Sequence, residues 1–176
     1  TDIEGEWEKK KLNDGFYDCG LLFDNDKIYV VYGINQLRIA ELDEDFNKIP
    51  GSDKDVVKWS FREGLEGSRL YKIGEYYYIY STYGGWPAFQ TVFRSKDIYG
   101  PYEEKKLIDD DNIHQGALVE TQTGEWWTML FYDKGAYGRF PNLQPVKWVD
   151  GWPEIGENGK DITYHFLPAA TSKVVV

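Results

Sequence analysis

At 176 residues, with 7 Trp, 14 Tyr and 9 Phe among them, the chain is long enough for one domain with a real core. Its formal charge of −10 argues against nucleic acid and an anionic membrane surface as partners, since each needs a basic face, and is compatible with a neutral ligand such as a carbohydrate. No apolar run approaches the ~20 residues that span a bilayer, and the single cysteine, Cys19, allows no internal disulfide and leaves the redox compartment open.

Short runs rich in Tyr, Val and Ile predict strands throughout, and no segment shows a sustained helical period. The opening segment, Asp2-Ile3-Glu4-Gly5-Glu6-Trp7-Glu8, is echoed 95 residues later by Asp97-Ile98-Tyr99-Gly100-Pro101-Tyr102-Glu103. The later copy follows the strand pattern Phe89 to Ser95, so residues 1–13 read as the outer strand of a blade whose inner strands precede them. Next come two strands over Leu21 to Tyr32 joined at Asp24-Asn25-Asp26, followed by a link at Gly33-Ile34-Asn35. A second pair runs over Leu70 to Tyr80 with its turn at Ile73-Gly74-Glu75 and a following loop, Gly84-Gly85-Trp86-Pro87. A third runs from Leu118 to Met129 with its turn at Thr123-Gly124-Glu125. Residues 157–176 form a tail that either completes the last blade or marks a boundary.

The leucines that open these pairs, Leu21, Leu70 and Leu118, stand 49 and 48 residues apart. A period near 48 with short aromatic strands predicts a β-propeller, one four-stranded antiparallel blade per repeat. The chain then forms a single partial propeller domain of about three blades, with repeats at 14–58, 59–108 and 109–156. Propellers close with about 4–8 blades, so another chain or missing blades are expected to complete the ring. A polar residue stands just ahead of each strand pair: Asp18, Glu66 and His114. Repeats around an axis bring equivalent residues together, so the three are expected to converge on the central channel.

Each candidate has a plainer reading. A Glu ahead of a strand ordinarily caps or meets solvent, an Asp there ordinarily makes a turn, and a lone His near an axis can be a hydrogen-bonded structural residue. Trp126 and Trp127 are expected to pack between blades, since successive strand residues face opposite ways. Asp109-Asp110-Asp111 reads as a solvated acidic loop rather than a calcium cluster, and Cys19 has no histidine near it in sequence to make it a nucleophile.

Four segments carry a resemblance to a known family. They are Tyr17-Asp18-Cys19-Gly20-Leu21-Leu22-Phe23-Asp24, Glu66-Gly67-Ser68-Arg69-Leu70-Tyr71-Lys72, His114-Gln115-Gly116-Ala117-Leu118-Val119-Glu120-Thr121, and the run Gly135 to Val146, with Trp148-Val149-Asp150-Gly151-Trp152-Pro153 after it. Together, in this order, they resemble glycoside hydrolase family 43, five-bladed propeller enzymes that include β-xylosidases and α-L-arabinofuranosidases, and correspond to the second to fourth blades. The resemblance implies inverting hydrolysis by three acids. Glu66 matches the general acid, and Asp18 the aspartate that orients it and tunes its acidity. The general base belongs to the blade ahead of residue 1. Where the family often has proline or another small residue after that aspartate, this chain has Cys19-Gly20.

The resemblance further implies that His114 is an active-site residue or the ligand of a bound cation such as calcium, and that Arg139 contacts the sugar. Trp86 is a candidate wall for a pentose ring. An inverting glycosidase sets its two carboxyl groups roughly 6.5–9.5 Å apart to admit a water, and its acid must hold a proton near neutral pH, which burial or a neighbouring negative charge achieves. Arg139 suits sugar hydroxyls through its fixed fork of donors. The expected function is exo-acting removal of terminal α-L-arabinofuranose or β-D-xylose from hemicellulose-derived saccharides, with no organic cofactor. The alternative is a catalytically incomplete fragment of such an enzyme that binds sugar or serves only structure.

Overall fold

The computed structural model describes residues 2–58, 63–85, 87–108 and 113–156. Among these residues twelve strands form three four-stranded antiparallel sheets, each with its strands in sequence order. The first holds β1 (Gly20–Asp24), β2 (Lys27–Tyr32), β3 (Gln36–Leu42) and β4 (Lys54–Lys58). The second holds β5 (Leu65–Ile73), β6 (Tyr76–Tyr83), β7 (Phe89–Ser95) and β8 (Glu103–Lys106). The third holds β9 (Ile113–Glu120), β10 (Trp126–Asp133), β11 (Arg139–Val149) and β12 (Trp152–Ile155), with one 3-10 turn at Gly135–Tyr137 before β11. These are three blades of a propeller, stacked in chain order.

The hairpins close where turn chemistry allows them. Asn25 and Asp26 both take positive φ between β1 and β2, and Gly74 does so between β5 and β6, the conformation that a two-residue hairpin turn demands. Residues 2–13 take no strand, and Ile3 and Trp7 stay about four-fifths exposed. An outer strand draws its hydrogen bonds from the strand inside it, and the described residues hold none for this segment. The tail 157–176, the Asp109–Asp111 run and Trp86 lie outside the described residues.

Two apolar layers hold the blades together. Tyr29, Val31, Leu37 and Ile39 of the first blade meet Leu65, Leu70, Ile79, Tyr83, Phe89 and Phe93 of the second. Tyr78, Tyr80 and Val92 of the second meet Ile113, Leu118, Leu130, Val146 and Ile155 of the third. Period-2 alternation makes this possible: Tyr78 and Tyr80 face one neighbour while Ile79, between them, faces the other. Trp126 packs at the second layer and Trp127 is buried.

Polar contacts fix the angle between blades. The Tyr77 hydroxyl donates to Asp24 Oδ2 at 2.7 Å, and burial together with that carboxylate pushes the phenol up to about 12. The Tyr78 hydroxyl donates to the Gly151 carbonyl at 2.6 Å, and Arg94 donates to the Asp150 carbonyl while stacking 4.0 Å from the Trp152 ring. Gln90, fully buried, accepts from the Gly116 amide and donates to the Ser81 carbonyl, bridging the second and third blades. Tyr80, fully buried, shares a hydrogen bond with Thr128 across the same interface, and burial raises its phenol well above the usual value.

One ion cluster braces the first blade away from the axis. Asp53 accepts from Tyr32 Oη, Arg38 Nε and Lys48 Nζ at 2.8–2.9 Å, with its side chain 26% exposed. Burial pulls the Asp53 carboxyl up, but its three donors outweigh that and hold it below the usual carboxylate range. The stability it contributes is therefore present above its unfolded value of about 4 and lost as pH falls through the lower folded value. Asp53→Asn should cost about 1–3 kcal/mol in denaturant unfolding at pH 7, and the gap from wild type should close toward pH 3. A gap independent of pH would show that the carboxylate charge does not brace the blade.

Candidate functional site

The innermost strand of each blade begins with the same irregularity. Three residues ahead of Leu21, Leu70 and Leu118 stand Asp18, Gly67 and Gln115, and each takes a left-handed conformation with φ of 46°, 66° and 54°. Register shifts follow in the second and third blades, between Glu66 and Arg69 and opposite Met129 to Phe131. Such bulges turn the chain and re-aim the side chains beside them. One position earlier stand Tyr17, Glu66 and His114. The structural counterpart of Glu66 and His114 is thus Tyr17, and Asp18 sits one residue further along its repeat.

The inner strands run so close to their neighbours, in the next blade or their own, that glycine is required. A Cβ on Gly20 would lie 2.8 Å from the Ser68 carbonyl oxygen, and one on Gly116 2.6 Å from the Met129 carbonyl oxygen. One on Gly67 would press Gln115 of the next blade at 3.1 Å. The Cys19-Gly20 pair therefore has a steric reason: Gly20 runs against the backbone of the neighbouring blade. Cys19 is a free, exposed thiol whose carbonyl accepts from Arg69.

Glu66 leaves β5 half-buried, and its backbone carbonyl accepts from Ser81 Oγ at 2.7 Å. Its carboxylate accepts from the Tyr17 hydroxyl at 3.1 Å on Oε2, while Oε1 lies 2.7 Å from where a Cβ on Gly84 would stand. Tyr17 itself is 52% exposed. Its phenol is raised by the hydrogen bond to Glu66, then by the charges of Glu66 and Asp18. Asp18 and Glu66 thus act on one hydroxyl from two blades, although no hydrogen bond joins them among the described residues.

His114 and Arg139 form a second group within the third blade. His114 Nε2 bonds Asp133 Oδ2 at 2.9 Å, and Arg139 Nε approaches Asp133 Oδ1 at 3.4 Å. Phe131 sits between them, 4.5 Å from the imidazole and 4.5 Å from the guanidinium carbon. Asp133 was not singled out in the sequence; lying at the end of β10, paired in register with Arg139, it is what ties the two expected residues together. The signal available was its place one strand from the His114 motif.

For a bound cation the fit is limited. His114 is buried, and its Nδ1 has no hydrogen-bond partner, so it offers one ligand atom. Among the described residues no three His, Cys, Asp or Glu groups gather as a metal site. Among the described residues the imidazole suits a single bond to a water or to an ion held mainly by other groups, not a chelate.

The fold and these residues define a class: antiparallel propeller blades with two carboxylates and a histidine at the starts of the inner strands, and an arginine tied to that histidine through Asp133. The family model for glycosyl hydrolases family 43 matches residues 1–153, and the chain belongs to that family. It is 31% identical to a xylan 1,3-β-xylosidase from a Vibrio species, covering 87% of this chain and 37% of that protein. It is 27% identical to a non-reducing-end α-L-arabinofuranosidase from Bacteroides ovatus, over 97% of this chain and 36% of that protein. Among solved structures, a bifunctional family 43 protein of Bacteroides eggerthii superposes with a TM-score of 0.80 at 34% identity, over 92% of this chain and 22% of that one. A xylan β-1,4-xylosidase from Bacillus halodurans gives 0.76 at 27% identity, over 98% and 40%. The chain therefore spans between about a fifth and two fifths of the length of these relatives.

Proposed function

We propose that this chain supplies the acid side of an exo-acting, inverting glycosidase that removes terminal α-L-arabinofuranose or β-D-xylose from hemicellulose-derived saccharides. The observation that carries this is the Glu66 carboxylate, held by Tyr17 above bare Gly84 with Asp18 acting on the same hydroxyl. Glu66 donates the proton to the glycosidic oxygen, and Asp18 keeps a negative charge nearby that opposes early loss of that proton. The general base comes from residues outside 1–176. Arg139, braced by Asp133, offers Nη donors to sugar hydroxyls, and His114 lines the same end, its free Nδ1 available to a water or a cation. Trp86 remains the proposed apolar wall. The xylosidase and arabinofuranosidase named among the relatives support the pentose, and the net charge of −10 suits an uncharged substrate over nucleic acid or membrane.

The test is hydrolysis of aryl α-L-arabinofuranosides and aryl β-D-xylosides by a complete propeller containing this chain. Turnover of either names the sugar; tight binding of pentose oligosaccharides without turnover would replace the enzyme with a binding module. In that propeller Asp18→Asn should move the alkaline limb of the pH–rate profile down by about one pH unit, because removing a nearby charge lets the acid ionise sooner. An unmoved limb would remove Asp18 from this role.

A further inference from the structure

Resting on Glu66 as the general acid, we infer that Tyr17 is a positioning residue for it: the Tyr17 hydroxyl holds one oxygen of the carboxyl and leaves the other for the leaving group. Tyr17 occupies in the first blade the repeat position that Glu66 and His114 occupy in the second and third, so the propeller itself brings it beside the acid. Its hydroxyl donates to Oε2 at 3.1 Å, and Oε1 lies over Gly84 with no donor among the described residues. The two oxygens are therefore not equivalent. When Glu66 is protonated, Oε2 keeps Tyr17 as its donor and the proton belongs on Oε1.

In the chemical step that proton passes from Oε1 to the glycosidic oxygen, and the breaking bond leaves its electron pair with the departing alcohol. Glu66 becomes a carboxylate whose growing charge the Tyr17 hydroxyl stabilises, a charge-assisted bond stronger than the one it makes to the neutral acid. Tyr17 keeps its own proton throughout, since its contact with Glu66 and the charges of Glu66 and Asp18 raise its phenol. The other groups near the acid are accounted for. Asp18 on the same loop acts in the opposite sense, Arg69 on β5 turns to the carbonyls of Cys19 and Ser68, and His114 on β9 is bound by Asp133.

Tyr17→Phe keeps the ring and deletes the donor. In the 176-residue chain, the carbon-detected NMR titration of the Glu66 carboxyl, assigned by its absence in Glu66→Gln, should move up by about 0.5–1 pH unit. An unchanged midpoint overturns the proposal. In the complete propeller, Tyr17→Phe should lower kcat about tenfold on substrates with poor leaving groups, which need the proton. It should nearly spare dinitrophenyl glycosides, which do not, and shift the alkaline limb upward, opposite to Asp18→Asn. Equal loss on both substrates, or an unmoved limb, would reduce Tyr17 to a packing residue. If Glu66→Gln itself retains turnover of the poor leaving groups, the assignment of the acid fails, an outcome separate from any result with Tyr17.

Discussion

Glu66→Gln should lower kcat of the complete propeller by about 10²–10⁴-fold on aryl pentosides with poor leaving groups, with KM changed little. The amide fills the same space and still accepts from Tyr17, so the blade stays folded; only the transferable proton is gone. Because the loss lies in proton donation, it should shrink as the leaving group is activated and become smallest for dinitrophenyl glycosides. Steady-state kinetics across a leaving-group series measures this directly. A loss of the same size for every leaving group would mean that Glu66 positions substrate rather than protonates it, and the acid would have to be sought elsewhere.

Gly84→Ala should lower kcat by about 10–100-fold while leaving thermal stability within about 1 kcal/mol of wild type. A Cβ there would stand 2.7 Å from Glu66 Oε1 and, among the described residues, meets nothing else closer than 3.5 Å, the Glu66 carboxyl carbon. The collision is with the far end of a flexible side chain, so the fold is not strained and the carboxylate moves instead. Gly84 N donates to the Gly64 carbonyl at 2.7 Å, and Gly64 N donates to Asn35 Oδ1 at 2.6 Å, so the Gly84 backbone is itself tied down. A misplaced general acid loses rate steeply with distance. Kinetics and melting on the same variant separate the outcomes: unaltered kcat would show that Oε1 is not the working oxygen, and a large fall in melting temperature would show that Gly84 serves the fold. Gly116→Ala offers the contrast, since its Cβ would meet Leu130 Cδ2 at 2.4 Å and backbone at 2.6 Å, and stability should fall first.

The propeller was legible in the sequence because a blade is a local object. Its strands are consecutive, its turns are two or three residues long, and alternating Tyr, Val and Ile faces need a neighbour on both sides. The near-48-residue spacing of Leu21, Leu70 and Leu118 carries all of this without a long-range contact being known. Asp18 and Glu66 were singled out as candidates too, through the motifs around them. The one-residue offset between them was not. It depends on which residue in each repeat takes the left-handed conformation, and Asp18, Gly67 and Gln115 share that backbone without sharing a side chain.

Sequence by itself determined the class of fold, the family, and the candidate residues Glu66, Asp18, His114 and Arg139, because each follows from periodicity or from a contiguous motif. Tertiary structure alone decided the company they keep. Tyr17 meets Glu66 across 49 positions of sequence, Gly84 meets it from the far end of β6, and Asp133 joins His114 to Arg139 at the end of a hairpin. These contacts arise where blades converge or strands end, and the distance between two such points is set by blade packing and bulges, which no local pattern encodes.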